Sequence, residues 1–331
     1  ALPAYGDITV DGTALAAGGT FTQGDVNGGL VGFTSTTTDQ GRLTDGFTFT
    51  LTDGTDTTTS ASLGIAITPP INETPVIGGD LGTLAYTENG SAAVIDNTIT
   101  LSDADDTQMS GATTTISSGF TSGDVLGFTD QNGITGSYDG STGVLSLSGT
   151  ATVAQYQEAL RSITYHSTSG DPTATSATRT ITWQATDAGS VDGVSAQSGT
   201  VTSSINITAV NDPPVVGGAL GALAYTENGG AAVIADTITL SDADDTQMSG
   251  ATTTISSGFT AGDVLGFTDQ NGISGSYDGS TGVLSLSGTA TVAQYQAALS
   301  SVTYHSTSED PTATSATRTI TWDVTDANSD G

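Results

Sequence analysis

A duplication constrains this chain more than any other feature. Leu84-Ala-Tyr86-Thr-Glu88-Asn89-Gly90 returns as Leu223-Ala-Tyr225-Thr-Glu227-Asn228-Gly229, and Leu101-Ser-Asp103-Ala-Asp105-Asp106 returns as Leu240-Ser-Asp242-Ala-Asp244-Asp245. The copies lie 139 positions apart, a domain's length, so the chain must fold as similar units in series, each stacked on its neighbour. The boundaries recur as well: Pro70-Ile71-Asn72-Glu73-Thr74-Pro75-Val76 and Ala209-Val210-Asn211-Asp212-Pro213-Pro214-Val215. Prolines fix φ and push the residue before them towards extended geometry, which makes these linkers stiff. The expected organisation is a partial unit over 1–71, a complete repeat over 72–210, and a repeat over 211–331 that lacks a final strand.

Period-two alternation marks the units as β. Asn97–Leu101, Ala112–Ile116, Gly143–Leu147 and Thr178–Trp183 read as strands, as do Ile8–Val10, Leu30–Phe33 and Phe47–Leu51, with Asp-Gly pairs between them. One short helix interrupts each repeat. Thr152 with Gln155 three residues later forms a capping box, and Val153, Tyr156 and Leu160 share one face, placed to close the sandwich edge. The expected fold class is therefore all-β, with tandem antiparallel sandwiches each carrying one short helix. The low hydrophobic fraction, 35%, fits thin sandwiches with small cores, and the regular spacing of aromatics argues against disorder.

Charge narrows the function. The net charge is −31, from 35 acids, all but five of them Asp, against four arginines and no lysine. Phosphates would be repelled, which excludes nucleic acid as a partner. Asp serves turns and is also a natural ligand for a hard cation such as calcium. With no cysteine, neither disulfides nor thiolate metal sites are available, and a bound metal is the remaining staple. No apolar run approaches the roughly 18–20 residues of a membrane span. No signal peptide opens the chain, and its start at Ala1-Leu2-Pro3 reads as the middle of a longer protein.

The first unit is placed by spacing. Phe47, Phe49 and Asp53 are spaced as Ile181, Trp183 and Asp187 are, so 1–71 reads as the back half of a third, diverged copy, all β in pattern. Phe21-Thr22-Gln23-Gly24-Asp25-Val26, followed by Asp45-Gly-Phe47-Thr-Phe49 and Asp53-Gly54, resembles the back half of a chondroitin-sulfate-proteoglycan-type repeat. Sandwiches cut inside a domain expose edge strands. The expected completion is by further sequence or by strand addition from a neighbouring molecule, the latter making a fibre.

The acidic stretches resemble the calcium signatures of cadherins. Tyr-Thr-Glu-Asn-Gly, with Glu88 and Glu227, is similar to the element near the start of a cadherin domain. Ser-Asp-Ala-Asp-Asp, with Asp103 and Asp105 or Asp242 and Asp244, is similar to the cadherin Asp-x-Asp pair. Asn211-Asp212-x-Pro214 resembles the interdomain linker, and Ala185-Thr-Asp187-Ala-Gly189 resembles a further cadherin element. The sequence departs from that pattern at Ala209, where the first linker aspartate would fall, at Asn72-Glu73, and in having no mid-domain Asp-Arg-Glu match. Over 72–331 the resemblance is to cadherin-like tandem repeats of giant bacterial surface adhesins. It implies calcium at the junctions, with fewer ions than in cadherins, and an extracellular, secreted location.

Chemistry alone supports the same ion. Calcium takes about six to eight oxygens at roughly 2.3–2.6 Å, and an extended Asp-x-Asp would turn both carboxylates to one side, beside the linker's amide and acid. The alternative is that these acids are ordinary turn residues. Asp326-Ala-Asn328-Ser-Asp330-Gly331 also fits the start of an EF-hand-type loop, although a hairpin tip explains it equally well.

No catalytic constellation emerges. His166 and His305 have no second histidine or cysteine nearby, and Trp183 and Trp322 read as core anchors. There is no nucleophile elbow or phosphate loop, and near-duplication argues against a glycosidase carboxylate pair. The expectation is a non-enzymatic structural and adhesive repeat protein whose partners are neighbouring repeats or copies of itself. The alternatives are a module binding cell-surface glycan or protein, and a non-catalytic spacer of a secreted enzyme.

Overall fold

The computed structural model describes residues 2–36, 43–58, 60–67, 72–189 and 193–328. In the first repeat, six strands form the larger sheet. Their order across it is Thr135–Asp139, Val144–Thr152, Gln108–Ser118, Thr178–Asp187, Val201–Thr208 and Thr83–Thr87. Facing them are Asp124–Gly127, Thr164–Ser167 and Ala93–Val94, with a further pair formed by Val76–Gly78 and Thr100–Ser102. All pairings are antiparallel except one among the described residues: Val201–Thr208 runs parallel to Thr83–Thr87. The Asn97–Leu101 segment is strand only from Thr100 onward, because Asp96 accepts hydrogen bonds from Thr98 N (2.8 Å) and Oγ1 (2.7 Å) and draws that stretch into a turn.

Alternation along the strands buries one face of each sheet. Ala112, Ile116, Leu145, Leu147, Ile181, Trp183, Ile205 and Ile207 all reach the core, where Tyr86 and Tyr165 meet edge to face with ring centroids 5.0 Å apart. The helix Val153–Arg161 carries the expected capping box of Thr152 and Gln155. Its Tyr156 and Leu160 are fully buried and Val153 packs at the margin, so the helix closes the sandwich. Burying such side chains contributes about 1.5–3 kcal/mol each.

The second repeat rebuilds the plan with fewer strands. Ser274–Asp278, Val283–Thr291, Gln247–Ser257 and Thr319–Asp326 form its larger sheet. The positions that would match Val201–Thr208 fall after residue 331, and residues 222–226, the counterparts of Thr83–Thr87, are not paired as a strand. The difference is felt at the anchors. Trp183 is fully buried and its Nε1 donates to Ser203 Oγ (2.8 Å), whereas Trp322 is only half-buried.

The N-terminal unit holds a sheet of Thr13–Ala14, Gly6–Val10 and Val31–Ser35, and a hairpin of Leu43–Phe49 with Ala61–Ile67. It is not wholly β. Gln23–Asn27 forms a short helix because Thr22 accepts from Asp25 N while Asp25 accepts from Thr22 N, a reciprocal cap that the strand reading overlooked. Phe47 and Phe49 are half-buried and line a groove of about 800 Å³ with Ile8, Leu15 and Phe21. Asp53 does not mirror Asp187. It is exposed, and hydrogen bonds from Asp56 N, Thr55 N and Thr55 Oγ1 pull its pKa down to about 2.

Candidate cation site at the repeat junction

Two ends meet around residues 209–215. From the first repeat comes Glu88, which follows the strand Thr83–Thr87. That strand runs beside Val201–Thr208, and Glu88 N donates to Thr208 O (2.9 Å), so the side chain is delivered to the start of the linker. There Glu88 Oε2 accepts from Val210 N (2.8 Å). Glu88 is only 3% exposed, and its Oε1 is buried with no hydrogen-bond partner. Burial raises its pKa, opposed by the Val210 N–H, and the negative charges of Asp212, Asp244 and Asp171 raise it further.

From the second repeat comes the Ser-Asp-Ala-Asp-Asp segment. It is not extended as anticipated. Asp242 Oδ1 accepts from both Asp244 N (3.2 Å) and Asp245 N (3.0 Å), which bends the chain into a turn. The bend leaves Asp242 Oδ2 and Asp244 Oδ1 buried without partners. Asp244 Oδ2 accepts from Asp212 N (2.9 Å), joining the linker to the turn. Asp242, Asp245 and Asp326 each place a carboxylate oxygen within 4.8 Å of the others, and Asn211 Nδ2 donates to Asp326 Oδ2 (3.1 Å). Burial and the neighbouring Asp244 raise the Asp242 pKa.

The arrangement recurs at the head of the first repeat. Asp103 Oδ1 accepts from Asp105 N (3.1 Å) and Asp106 N (2.8 Å), and Asp105 Oδ2 accepts from Glu73 N (3.1 Å). Asn72 Nδ2 donates to Asp187 Oδ2 and to Val194 O, both at 3.0 Å. Asn72 Oδ1, Asp103 Oδ2 and Asp105 Oδ1 are again buried without partners. A single orphaned oxygen is unremarkable. The same two aspartate atoms orphaned in both copies mark a feature of the repeat, because an unpaired buried acceptor costs about 1–3 kcal/mol unless something unseen satisfies it.

Not every expected residue joins these groups. Glu73 contributes its backbone N–H while its side chain is exposed. Glu227 is exposed. Asp187 is fully buried, its Oδ1 accepting from Gly189 N (2.9 Å) and Ala196 N (2.8 Å), so it ties down a loop as well as Asn72. Of the EF-hand-type stretch, the described residues include Asp326 and Asn328. Asn328 sits at φ 48° with its N–H on Asp326 Oδ1 (3.1 Å), a turn, while the Asp326 side chain faces the junction. Asp330 lies outside the described residues.

Three acids escaped the sequence reading. Asp106 and Asp245 were visible as the last letter of the Asp-Ala-Asp-Asp run. Asp171 carried no local signal, since the loop it belongs to is 83 positions after Glu88, the acid whose charge it feels. The donor set is all oxygen, carboxylates with linker amide; among the described residues Arg179 and Arg318 are engaged with Asp124 (2.7 Å) and Asp263 (2.6 Å), and Arg161 donates to Ile99 O (2.5 Å). Hard oxygen donors with buried, partnerless atoms fit a calcium-sized ion and not a thiolate-seeking metal.

No family model matches the chain. A curated relative is halomucin of Haloquadratum walsbyi (strain DSM 16790 / HBSQ001), 35% identical over 182 residues; the match covers 50% of this chain and 2% of that protein. This chain therefore spans a small fraction of the relative's length. Solved structures with similar stretches include protocadherin gamma B7 extracellular cadherin domains 1–4, at 14% identity over 86% of this chain and 57% of that one, TM-score 0.24. Protocadherin gamma C5 EC1-3 gives 12% identity over 75% and 66%, TM-score 0.25, and mouse cadherin-23 EC22-24 gives 13% over 79% and 70%, TM-score 0.23. The molecule in hand is a tandem array of β-sandwich units with one short helix apiece.

Proposed function

We propose that the chain is a segment of an extracellular, structural or adhesive repeat protein whose joints are stiffened by calcium. One observation carries the reading: carboxylate oxygens from two successive repeats, buried and without partners, converge on the linker that joins them. An ion accepted there would take ligands from both units at once and lock their relative position. The residues offered at the second junction are Glu88, Asp171, Asp212, Asp242, Asp244, Asp245 and Asp326, with Asn211; at the first they are Asn72, Asp103, Asp105 and Asp106. The sequence resemblance to surface adhesin repeats and the match to a very long protein named halomucin support a secreted, repeat-built context, and the bacterial adhesin origin rests on the resemblance alone. Neighbouring repeats or further copies are the proposed partners, without catalysis in this segment.

Calorimetric titration of calcium into the full chain tests it, with small-angle scattering of the loaded and chelated forms. Binding heat together with a longer, straighter particle in calcium is expected. No heat and superimposable scattering curves would overturn it.

A further inference from the structure

The loop that carries Asp171 touches the following repeat at one point. A Cβ placed on Gly170 would lie 3.0 Å from Ala243 Cβ and 3.3 Å from Asp212 Oδ2, and nothing else comes within 4 Å of it. Gly170 has an ordinary φ, so its own backbone does not require glycine. The reason for glycine here therefore lies wholly on the other side of the joint.

The loop is built to hold that position. Arg179 is fully buried; its Nε and Nη2 engage Asp124 at 2.7 and 3.2 Å, Nη1 donates to Ser176 O (2.5 Å), and Nη2 donates to Pro172 O (2.6 Å). Asp124 is in turn held by Tyr165 Oη (2.6 Å) and Thr121 N (2.8 Å). The guanidinium thus pins the loop, from the residue after Asp171 to Ser176, onto the sandwich. Gly170 stands as a rigid notch rather than the tip of a loose loop.

The second repeat keeps the clamp and changes the notch. Arg318 repeats every contact, on Asp263, Ser315 O and Pro311 O, yet the residue at the notch is Glu309. At Gly170 even a single Cβ would crowd Ala243 at 3.0 Å, and a glutamate there would add bulk and a negative charge beside Asp212.

We propose that position 170 determines how closely a repeat docks on the next. Glycine there admits Ala243 and Asp212 into close contact and sets the joint angle independently of any bound ion. A repeat with glutamate at the same place, like the second, is bound to adopt a different, more open joint with whatever unit follows it. Some joints of the array would then be close-docked and others splayed.

The chain has no cysteine, so a spin-label pair can be introduced cleanly at the exposed Thr135 and Ser274, one in each repeat. Electron–electron distance measurements on the full chain then report the joint, with and without calcium. Gly170→Gln adds bulk without charge, Gly170→Glu transplants the natural alternative, and Gly170→Ala is the minimal step. The expected result is a distance distribution shifted by several ångström for Gln and Glu alike, less for Ala, with unchanged melting of both repeats. A Gly170→Gln distribution that overlays the wild type in both conditions overturns the proposal. Should calcium leave the wild-type distances unmoved while Gly170→Gln still shifts them, the calcium reading fails and the notch stands.

Discussion

Glu88 and Val210 are 122 positions apart, yet the Glu88 carboxylate accepts the Val210 backbone N–H at 2.8 Å. That bond brings an acid from near the start of a repeat to the place where the repeat ends. It arises because Thr83–Thr87 lies parallel beside the final strand Val201–Thr208, in register from Ser204↔Thr83 to Thr208↔Thr87. The joint is therefore assembled from both ends of one unit and from the head of the next.

Calcium is expected to raise the melting temperature by mass action, on the order of 3 kcal/mol at a hundredfold excess over the dissociation constant. Asp242→Ala should abolish most of that gain, since it removes one buried partnerless oxygen and the anchor of the turn. Asp139→Ala should retain it, because Asp139 accepts from Ser141 and Thr142 in an exposed turn away from the junction. Differential scanning calorimetry with calcium or chelator decides. Equal calcium responses in the two variants would leave the junction acids as turn residues.

Breaking the buried ion pair should cost more in the first repeat than in the second. Arg179→Met leaves Asp124 charged and enclosed, a loss on the order of 3–5 kcal/mol. Arg318 is 11% exposed at the side chain, so water compensates part of the change in Arg318→Met. Urea melts of both variants measure the difference, and an equal or reversed order would contradict it.

The Trp183–Ser203 hydrogen bond offers a spectroscopic check. Ser203→Ala strands the indole N–H in a dry core, at a cost of about 1–3 kcal/mol. With Trp322→Phe, the remaining fluorescence of Trp183 should be blue-shifted and resist acrylamide. With Trp183→Phe, the half-exposed Trp322 should emit to the red and quench readily. Indistinguishable quenching would mean that Trp322 is as shielded as Trp183.

Acid should erase the contribution of Asp263. Burial pushes its pKa up, but hydrogen bonds from Arg318, Thr260 N and Tyr304 outweigh that and hold it below the ordinary value. A carboxylate depressed in the folded state contributes stability that is complete above its unfolded pKa, near 4, and is lost as pH falls through the folded value. The gap in unfolding free energy between wild type and Asp263→Asn should be widest at neutral pH and shrink below about pH 4. A gap that stays constant down to pH 2 would exclude this ionisation as its source.

Salt separates two electrostatic effects. At net charge −31, self-repulsion across the surface should weaken with ionic strength, so sodium chloride alone should raise the melting temperature. Millimolar calcium should do more than sodium at matched ionic strength, since only a bound ion satisfies the enclosed oxygens. Equal effects at matched ionic strength would assign all of the response to screening.

Local chemistry made much of this molecule legible in its residues. Alternation along Thr178–Trp183 and the capping box of Thr152 and Gln155 depend on neighbours a few positions away, and each lies where that pattern put it. The same reasoning missed the helix at Gln23–Asn27 and the bend at Asp242–Asp245, where a side chain captures backbone N–H groups that a strand would have paired.

What the tertiary structure alone decided is which distant residues meet. Glu88 is buried against Val210 N because the strand before it pairs with Val201–Thr208, a contact that nothing local in Tyr-Thr-Glu-Asn-Gly announces. Gly170 meets Ala243 and Asp212 because Arg179 fastens its loop to a carboxylate 55 positions earlier. A one-dimensional pattern records spacing along the chain. The clamp, the notch and the shared site depend on spacing across it, which exists only once two sheets have packed and two repeats have met.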